Sequence, residues 1–385
     1  MDVNNKIIVS FVDIFEPVPD IRQSGKVKHS LLEIIFMAIV ATLGGADDWE
    51  EIECFCDQKE QWLRKYLTLE NGIPSHDTFE RCFSWMDPKI FLQCFMQWTM
   101  LVSRIVKGGI LAIDGKTMRG TADELNGKKA LHIVSAWFSE TGMVLGQVKT
   151  DEKSNEITAI PELLDILDIT GCIVTIDAMG TQKDIVRKII KKHGDYVLAL
   201  KTNHPLLSDE VVKYFEDAVK DETLDKAKIM NHRESDHGHG RIEVRDYYLT
   251  TDIKWLTARK EWEGLTSIGM VKYTSEKNGH KKTDIRYMLC SIGDDIKKFS
   301  KAVRSHWGIE SMHWNLDVTF NEDARKSKKD HAPENLALLN RLALNILKLD
   351  KSMKRSLKKK RFIAGLNQEF LESLFNNCIL ENSDK

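Results

Sequence analysis

The stretch that decides the fold is ILAIDGKTMRG, residues 110–120. Its apolar residues run directly into a carboxylate, Asp114, which is followed by Gly115 and Lys116. A short apolar run that ends in this way is typical of a buried strand. The stretch CIVTIDAMG, residues 172–180, repeats the pattern and ends on Asp177. Open α/β sheets bind ligands at the carboxyl ends of their strands, so we expect the two aspartates to share one crevice if their strands are neighbours.

The elements around these two strands indicate the rest of the sheet. The segments LHIVSAWFS (131–139) and MVLGQVKT (143–150) are two further predicted strands. They are separated by ETG, which is a hairpin signal. Helical patterns at 156–168 and 181–194 then alternate with CIVTIDAMG and with the strand DYVLALK (195–201). This order predicts an α/β protein with a mixed sheet and helices on its faces.

The flanking regions predict two additions to this core. Residues 1–105 have helical periodicity and form a predicted N-terminal domain, and residues 106–385 form a second predicted domain that contains the mixed sheet. In the first, Ser75 or Asp77 can cap a helix that begins near Thr78, and Asp87-Pro88 begins another. These two helices are consistent with a DNA-reading helix-turn-helix or with an ordinary helical bundle.

The second domain is interrupted by a predicted β-rich insertion at about 203–298. After a charged helix, its segments alternate apolar and polar residues, as half-solvated antiparallel strands do. The segment SEKNGHKK, 275–282, is a predicted hairpin loop, and the chain is helical again from about 296.

Composition narrows the class of protein. The 385 residues carry a formal net charge of −2, which excludes a strongly basic protein that covers nucleic acid. A local basic face is compatible with this net charge. The longest apolar run, Leu31 to Leu43, contains Glu33 and is too short to span a bilayer. Because the N-terminus lacks a leader pattern and the seven cysteines form no framework, we expect a cytoplasmic protein without membrane contact.

A third acidic residue stands out in the sequence HWGIESMHWNLDVTF. On a helix, Glu310 shares one face with His306, His313 and Asp317. Three carboxylates are hard oxygen ligands that suit Mg²⁺ or Mn²⁺. A single strand-end aspartate is more often a loop cap, but two of them favour a metal site. Zinc bound by His306 and Glu310 is a competing reading, which the lack of an HExxH motif disfavours.

The motifs IDGKTMRG, TIDAMGTQ and HWGIESMHWNLDVTFNEDA together resemble the DDE transposases of bacterial insertion sequences, in particular the H-repeat-associated, Rhs-element-linked group. The resemblance covers nearly the whole chain. It implies a ribonuclease-H-like fold, Asp114, Asp177 and Glu310 as catalytic and metal-binding residues, and Mg²⁺ or Mn²⁺ as cofactor. It also implies cleavage of double-stranded DNA at element ends, strand transfer into target DNA, a homodimer assembled on DNA, and association with the nucleoid. A nuclease without joining activity and a non-mobile DNA-binding relic remain alternatives.

One departure concerns the motif Y-x2-R-x3-E-x6-K of the wider insertion-sequence class. Counting from Glu310, this chain has Val303, His306 and Asp317 in place of the Tyr, Arg and Lys. The cations that would grip the phosphates of the element end are therefore absent. We expect His306, His313 and Arg304 to replace part of their role, and processing through a hairpin stays an open question.

Basic and imidazole side chains near the predicted site are candidate DNA contacts, with solvated surface cations as the alternative. The run Lys358–Arg361 has the same two interpretations. The candidate DNA-binding residues are Lys116, Arg119, Lys201, His237, His239, Arg241, Arg245, His306 and His313.

Overall fold

The computed structural model describes residues 11–103, 107–123, 127–150, 155–220, 224, 227–238 and 241–376. Its nine strands are β1 Ile110–Met118, β2 Leu131–Phe138, β3 Met143–Thr150, β4 Ile173–Ile176, β5 Asp195–Leu200, β6 Met230–Gly238, β7 Arg241–Thr250, β8 Ser267–Lys277 and β9 His280–Cys290. Its helices are α1 Leu31–Leu43, α2 Trp49–Gln58, α3 Glu60–Leu63, α4 His76–Trp85, α5 Pro88–Val102, α6 Glu156–Ile166, α7 Lys183–Lys191, α8 Pro205–Lys220, α9 Ile296–Phe320, α10 Ala332–Leu349, α11 Leu357–Leu366 and α12 Gln368–Asn376.

The first five strands form the core of one mixed sheet, in the order β3-β2-β1-β4-β5. β1 pairs antiparallel with β2 and parallel with β4, and β5 continues the parallel part. The hairpin β2–β3 and the strand–helix alternation after it follow the predicted order. This arrangement is the ribonuclease-H-like α/β fold that the resemblance implied, and the prediction of fold class is confirmed.

The inserted strands extend the same sheet. β9 pairs antiparallel with the free edge of β5, with Leu198 opposite Leu289, and β8, β7 and β6 follow in order. Pairing with β9 satisfies the edge groups that β5 would otherwise expose. The tip of the β8–β9 hairpin is Asn278-Gly279, and both residues have positive φ, 52° and 77°, as a tight hairpin turn requires.

The long helix α9 crosses one face of this sheet from the inserted strands to β1. Its 25 residues span about 38 Å at the usual rise of an α-helix. Ile309, Leu316 and Phe320 of this helix are fully buried, as expected for residues on the side that faces the sheet. One helix thus carries a single polar face over both the core and the insertion.

The N-terminal helices pack against the C-terminal ones. α1 lies on α10, and α4 contacts both α2 and α10. Only two residues, Met86 and Asp87, join α4 to α5, and Asp87 accepts a hydrogen bond from the Lys89 N–H at 2.9 Å, as predicted for this cap. Phe79 and Phe83 of α4 are buried, so the side of the helix that carries them packs against the protein core. The DNA-reading role and the division at residue 105 stay predictions.

Across the described part of the chain, none of the helices combines the length and the apolar character needed to cross a membrane.

Candidate active site

The pairing of β1 with β4 places two carboxylates side by side. The strands are parallel, with Ile113 opposite Ile176. The next residue on each is an aspartate, Asp114 or Asp177, and neighbouring strands lie about 4.8 Å apart. Both side chains line one cavity of about 570 Å³. The shared crevice expected from the sequence is therefore present.

Helix α9 brings the third carboxylate to the same cavity. His306 Nδ1 is hydrogen-bonded with Thr175 Oγ1 of β4 at 2.9 Å, and His313 Nδ1 lies 3.6 Å from Asp114 Oδ2 of β1. Glu310 stands between these two histidines on the helix and lines the cavity. The polar face predicted from the helical spacing is thus the face that lies over β1 and β4.

The electrostatics of the cavity centre on Asp114. Burial raises the pKa of its carboxyl from 3.8 to about 7, against the effect of a hydrogen bond from the Gly115 N–H. The negative charges of Asp177, Glu156 and Glu310 add to this rise in pKa. Asp177 is better supplied with donors, because its Oδ1 accepts the N–H groups of Met179 and Gly180 at 3.0 and 3.2 Å. The site therefore carries an excess of negative charge that a cation would relieve.

The donor set fits a hard divalent cation. Among the residues that the structure describes, no group of three or more His, Cys, Asp or Glu side chains is assembled as a metal site. Mg²⁺ does not require three protein ligands, because it is commonly bound by one or two carboxylates together with waters and substrate phosphate. Asp114 and Asp177 supply such a pair at the start of the cavity, with Glu310 on its helical wall. The contact of His306 with Thr175 does not decide the zinc alternative, because it uses Nδ1 and a zinc-bound imidazole commonly makes such a hydrogen bond with its other nitrogen.

The two histidines are not cations at neutral pH. Burial lowers the pKa of His306 to about 4 and the pKa of His313 to about 3. A neutral imidazole offers a phosphate no charge, so the expectation that these residues replace the missing Arg and Lys is not supported. Their observed contacts hold α9 against β1 and β4 instead.

Lys116 is engaged inside the protein. Its side chain is only 7% exposed, and its Nζ lies 2.7 Å from Asp317 Oδ1 and 2.6 Å from Asp323 Oδ1. Glu322 adds a third carboxylate at 3.8 Å. Asp317 occupies the Lys position of the wider class, so a cation from β1 neutralises the acid that replaced it. The expected DNA contact by Lys116 is not compatible with this arrangement.

A buried, hydrogen-bonded pair of side chains lies behind Asp114. His132 Nε2 is 2.7 Å from Glu156 Oε1, and His132 Nδ1 is hydrogen-bonded with Thr117 Oγ1 at 2.7 Å. A Cβ at Gly115 would stand 2.4 Å from both members of the pair. Glycine is required after Asp114 because this pair packs on its backbone. Sequence reasoning missed the pair, although a glycine directly after a strand-end aspartate is a signal for such close packing.

Arg245 is also an internal cation. Its side chain is 1% exposed, and its guanidinium is bound by Asp236 at 2.8 Å and by Glu243. The rings of Tyr273 and Trp307 each lie 5.1 Å from it. The prediction that Arg245 contacts DNA is therefore wrong for this fold, because no face of its guanidinium is open to a phosphate.

The other candidate contacts are distributed over the surface. Lys201 follows β5, is exposed and lines the cavity. Arg119 is 85% exposed, and His237 and Arg241 are exposed on the β6–β7 hairpin, with Arg241 paired to Glu243. His239 lies outside the described residues.

The basic run Lys358–Arg361 is divided between surface and core. Lys360 is buried and donates to the Asp350 carbonyl at 2.6 Å. Arg361 is buried and binds the carboxylate of Asp47 at 2.8 Å. Half of the run therefore serves packing, and Lys358 and Lys359 alone are exposed within it.

Trp307 and Arg286 are two of the residues of the cavity wall that sequence reasoning did not single out. Trp307 precedes Glu310 by three positions, and Arg286 comes from β9 of the insertion. Arg304, the remaining candidate replacement for a missing cation, is bound to Asp236 at 3.3 Å and is not part of the cavity wall. No local signal marks Arg286, because its place depends on the pairing of β9 with β5.

Comparison with known proteins gives one consistent result. Residues 107–346 match the family model described as the transposase DDE domain, and residues 12–99 match the model described as DDE_Tnp_1-associated. A putative transposase of Escherichia coli O157:H7, YncI, is 41% identical over 376 residues, which is 96% of this chain and 95% of the relative. The H repeat-associated putative transposase YhhI of Escherichia coli K12 is 38% identical over 364 residues, 93% of this chain and 95% of the relative.

A distant structural similarity, with 12% identity and a TM-score of 0.41, covers all of this chain and 80% of a piggyBac transposase in a synaptic complex with hairpin DNA. With a domain model spanning the catalytic core and full-length relatives at this identity, the chain belongs to the family of transposases with a DDE domain, in the H-repeat-associated group.

Proposed function

We propose that this chain is a DNA transposase that cleaves phosphodiester bonds at the ends of its element and transfers the freed strands into target DNA. The observation that carries the proposal is the cavity shared by Asp114, Asp177 and Glu310, which come from three separate segments of the chain. A structural role alone does not account for three acidic groups around one solvent-accessible cavity, since their mutual repulsion costs stability.

The metal enters this proposal through its ligands. Asp114, with Asp177 and Glu310, would hold Mg²⁺ or Mn²⁺, which when bound supplies activation of the attacking hydroxyl and stabilisation of the leaving 3′-oxygen. The raised pKa of Asp114 means that its carboxyl retains a proton for part of the time at neutral pH in the absence of a cation. A bound cation favours the ionised form, so we expect metal binding to release a proton.

The protein's own share is to hold these groups still. The backbone N–H groups of Met179 and Gly180 fix the carboxylate of Asp177. The neutral His306 fixes α9, and thereby Glu310, against β4. Groups positioned before the substrate arrives need no reorganisation during reaction, and this is the form of catalysis that phosphoryl transfer relies on.

DNA binding must come from a local basic surface, because the chain is nearly neutral. Lys201, Arg119, His237 and Arg241 are the exposed candidates for phosphate contacts. We propose double-stranded DNA, both element end and target, as the partner. Two copies assembled on DNA would bring two ends together for joining.

The test uses a labelled duplex copied from the DNA that flanks the gene, a supercoiled plasmid and Mg²⁺. A transposase gives labelled DNA joined covalently to the plasmid, and Asp177→Asn should give none while it still binds the duplex. Cleaved duplex without joined product would indicate a nuclease. Binding without any cleavage would indicate an inactive relic, and either result would overturn the proposal.

A further inference from the structure

The cavity wall carries few positive charges that could bind the phosphates of DNA. Among the described residues of the wall, the carboxylates outnumber the cations, which are Lys201 and Arg286. The position of the missing Arg is held by His306 and that of the missing Lys by Asp317, whose charge is paired with Lys116. A DNA backbone entering this cavity is repelled by the acids unless other cations meet its phosphates.

The sheet places the two cations next to each other. β5 and β9 are antiparallel, with Ala199 opposite Met288 and Leu200 opposite Tyr287. Lys201 directly follows Leu200 and Arg286 directly precedes Tyr287, so the two cations stand beside each other where this pairing ends, and both line the cavity. Along the strand they lie two residues, or about 6.6 Å, beyond the row that contains Asp177. A phosphate held there is beside the carboxylates and not on top of them.

The guanidinium of Arg286 is prepared for a ligand. The ring of Trp307 lies below its guanidinium carbon, with 5.6 Å between that carbon and the ring centroid, and this cation–π contact restrains the side chain. Within the described part of the chain it donates one side-chain hydrogen bond, from Nε to Asp284 Oδ2 at 2.9 Å. That pair is 41% and 45% exposed, and an exposed pair of this kind contributes little stability. Both Nη groups remain available, in contrast to the enclosed guanidinium of Arg245.

We propose that Arg286, in contact with the ring of Trp307, binds a backbone phosphate of the DNA next to the scissile bond, with Lys201 as a second cation beside it. The two Nη groups form a fork that matches two non-bridging oxygens of a phosphodiester. The inserted strands thereby supply to the catalytic cavity the positive charge that α9 lacks. This inference rests on the proposed function, since it assigns the DNA strand that the same cavity would process.

The experiment compares Arg286→Ala with Arg304→Ala. Arg304 is a matched control because its guanidinium also stacks on Trp307, at 5.5 Å, is 47% exposed, and lies outside the cavity wall. Binding of the flanking duplex is measured by fluorescence anisotropy in Ca²⁺ over a range of salt concentrations. We expect Arg286→Ala to weaken binding about tenfold to a hundredfold and to flatten the salt slope by about one unit. Arg286→Lys should restore the slope but only part of the affinity, because lysine has no fork.

A second measurement identifies the phosphate. Duplexes that carry one methylphosphonate at successive positions near the scissile bond remove one backbone charge at a time. At one position, we expect the methylphosphonate to lower the affinity of the wild type. At the same position, we expect Arg286→Ala to bind the modified and the unmodified duplex equally well, because the contact is already lost. Equal effects of the two alanine variants, or a methylphosphonate loss that is the same in wild type and Arg286→Ala at every position, would overturn the inference. Because both readouts are binding, they remain decisive if the wild type binds the duplex and fails to cleave it, which would overturn only the proposed function.

Discussion

Replacing Asp114 by asparagine should stabilise the metal-free protein while it destroys the site. The carboxyl of Asp114 has its pKa raised from 3.8 to about 7, so its ionisation at higher pH costs folding free energy. The folded protein holds this proton more tightly than the unfolded chain does. Stability therefore falls as pH rises from about 4 to about 7 and changes little above that range.

The magnitude follows from the same pKa values. A rise from 3.8 to about 7 corresponds to at most about 4 kcal/mol at pH 8, and to about 1.5 kcal/mol at pH 5. The side chain is 26% exposed, so solvent screening lowers both values, and about 2 kcal/mol is the expected gain at pH 8. Asparagine has nearly the same shape and no charge, so the variant lacks this cost at every pH.

The assay is urea unfolding, followed by circular dichroism in EDTA at pH 5 and pH 8. Asp217→Asn, which removes an exposed carboxylate of α8, is the control for loss of one negative charge. We expect Asp114→Asn to exceed the wild type in stability by more at pH 8 than at pH 5. Added Mg²⁺ should then stabilise the wild type and not the variant, because a ligand stabilises only the state that binds it. A variant that is less stable than the wild type at pH 8, or a difference that does not vary with pH, would refute the reasoning.

Three further outcomes follow from the site. Asp177→Asn and Glu310→Gln should each abolish cleavage of the flanking duplex in a gel assay and leave its binding within about twofold, since each removes a metal ligand and no DNA anchor; cleavage within tenfold of the wild type would exclude that residue as a ligand. Arg245→Ala should lower the free energy of unfolding by about 2 kcal/mol, because it removes a buried side chain that packs on Tyr273 and Trp307, whereas Arg241→Ala should only flatten the salt slope of DNA binding by about one unit; an unfolding curve of Arg245→Ala that matches the wild type would contradict the first expectation. Gly115→Ala should cost about 1–3 kcal/mol in a urea titration, because its Cβ would stand 2.4 Å from a buried carboxylate oxygen; a neutral effect would mean that the pair His132–Glu156 behind the strand can move.

The carboxylates could be predicted from sequence because their signal is local. An apolar run that ends on Asp marks a strand tip, and the helical spacing around Glu310 marks one face. Both signals depend on residues within a few positions of each other, and the structure keeps that order. β6 was missed because MNHRESDHG is polar, and only its pairing with β7 makes it a strand.

The basic residues could not be assigned in the same way. Lys116 and Arg361 bind acids that lie more than 200 residues away in the chain, and their sequence neighbourhoods give no sign of these partners. Charge is visible in a sequence, but the depth of a side chain and the identity of its counter-ion depend on the fold. For the same reason Arg286 was not found, since its place beside Lys201 follows from strand pairing alone.

The central claim is that Asp114, Asp177 and Glu310 hold divalent cations in one cavity. Iron(II) bound in place of Mg²⁺, in the presence of the flanking duplex, ascorbate and peroxide, cuts the polypeptide close to the metal, and mass spectrometry locates the cuts. We predict cuts clustered at three segments, around residues 114, 177 and 310, which excess Mg²⁺ suppresses and Asp114→Asn abolishes together. Cuts around only one of these segments, cuts elsewhere in the chain, or a pattern that Asp114→Asn leaves unchanged would contradict the account.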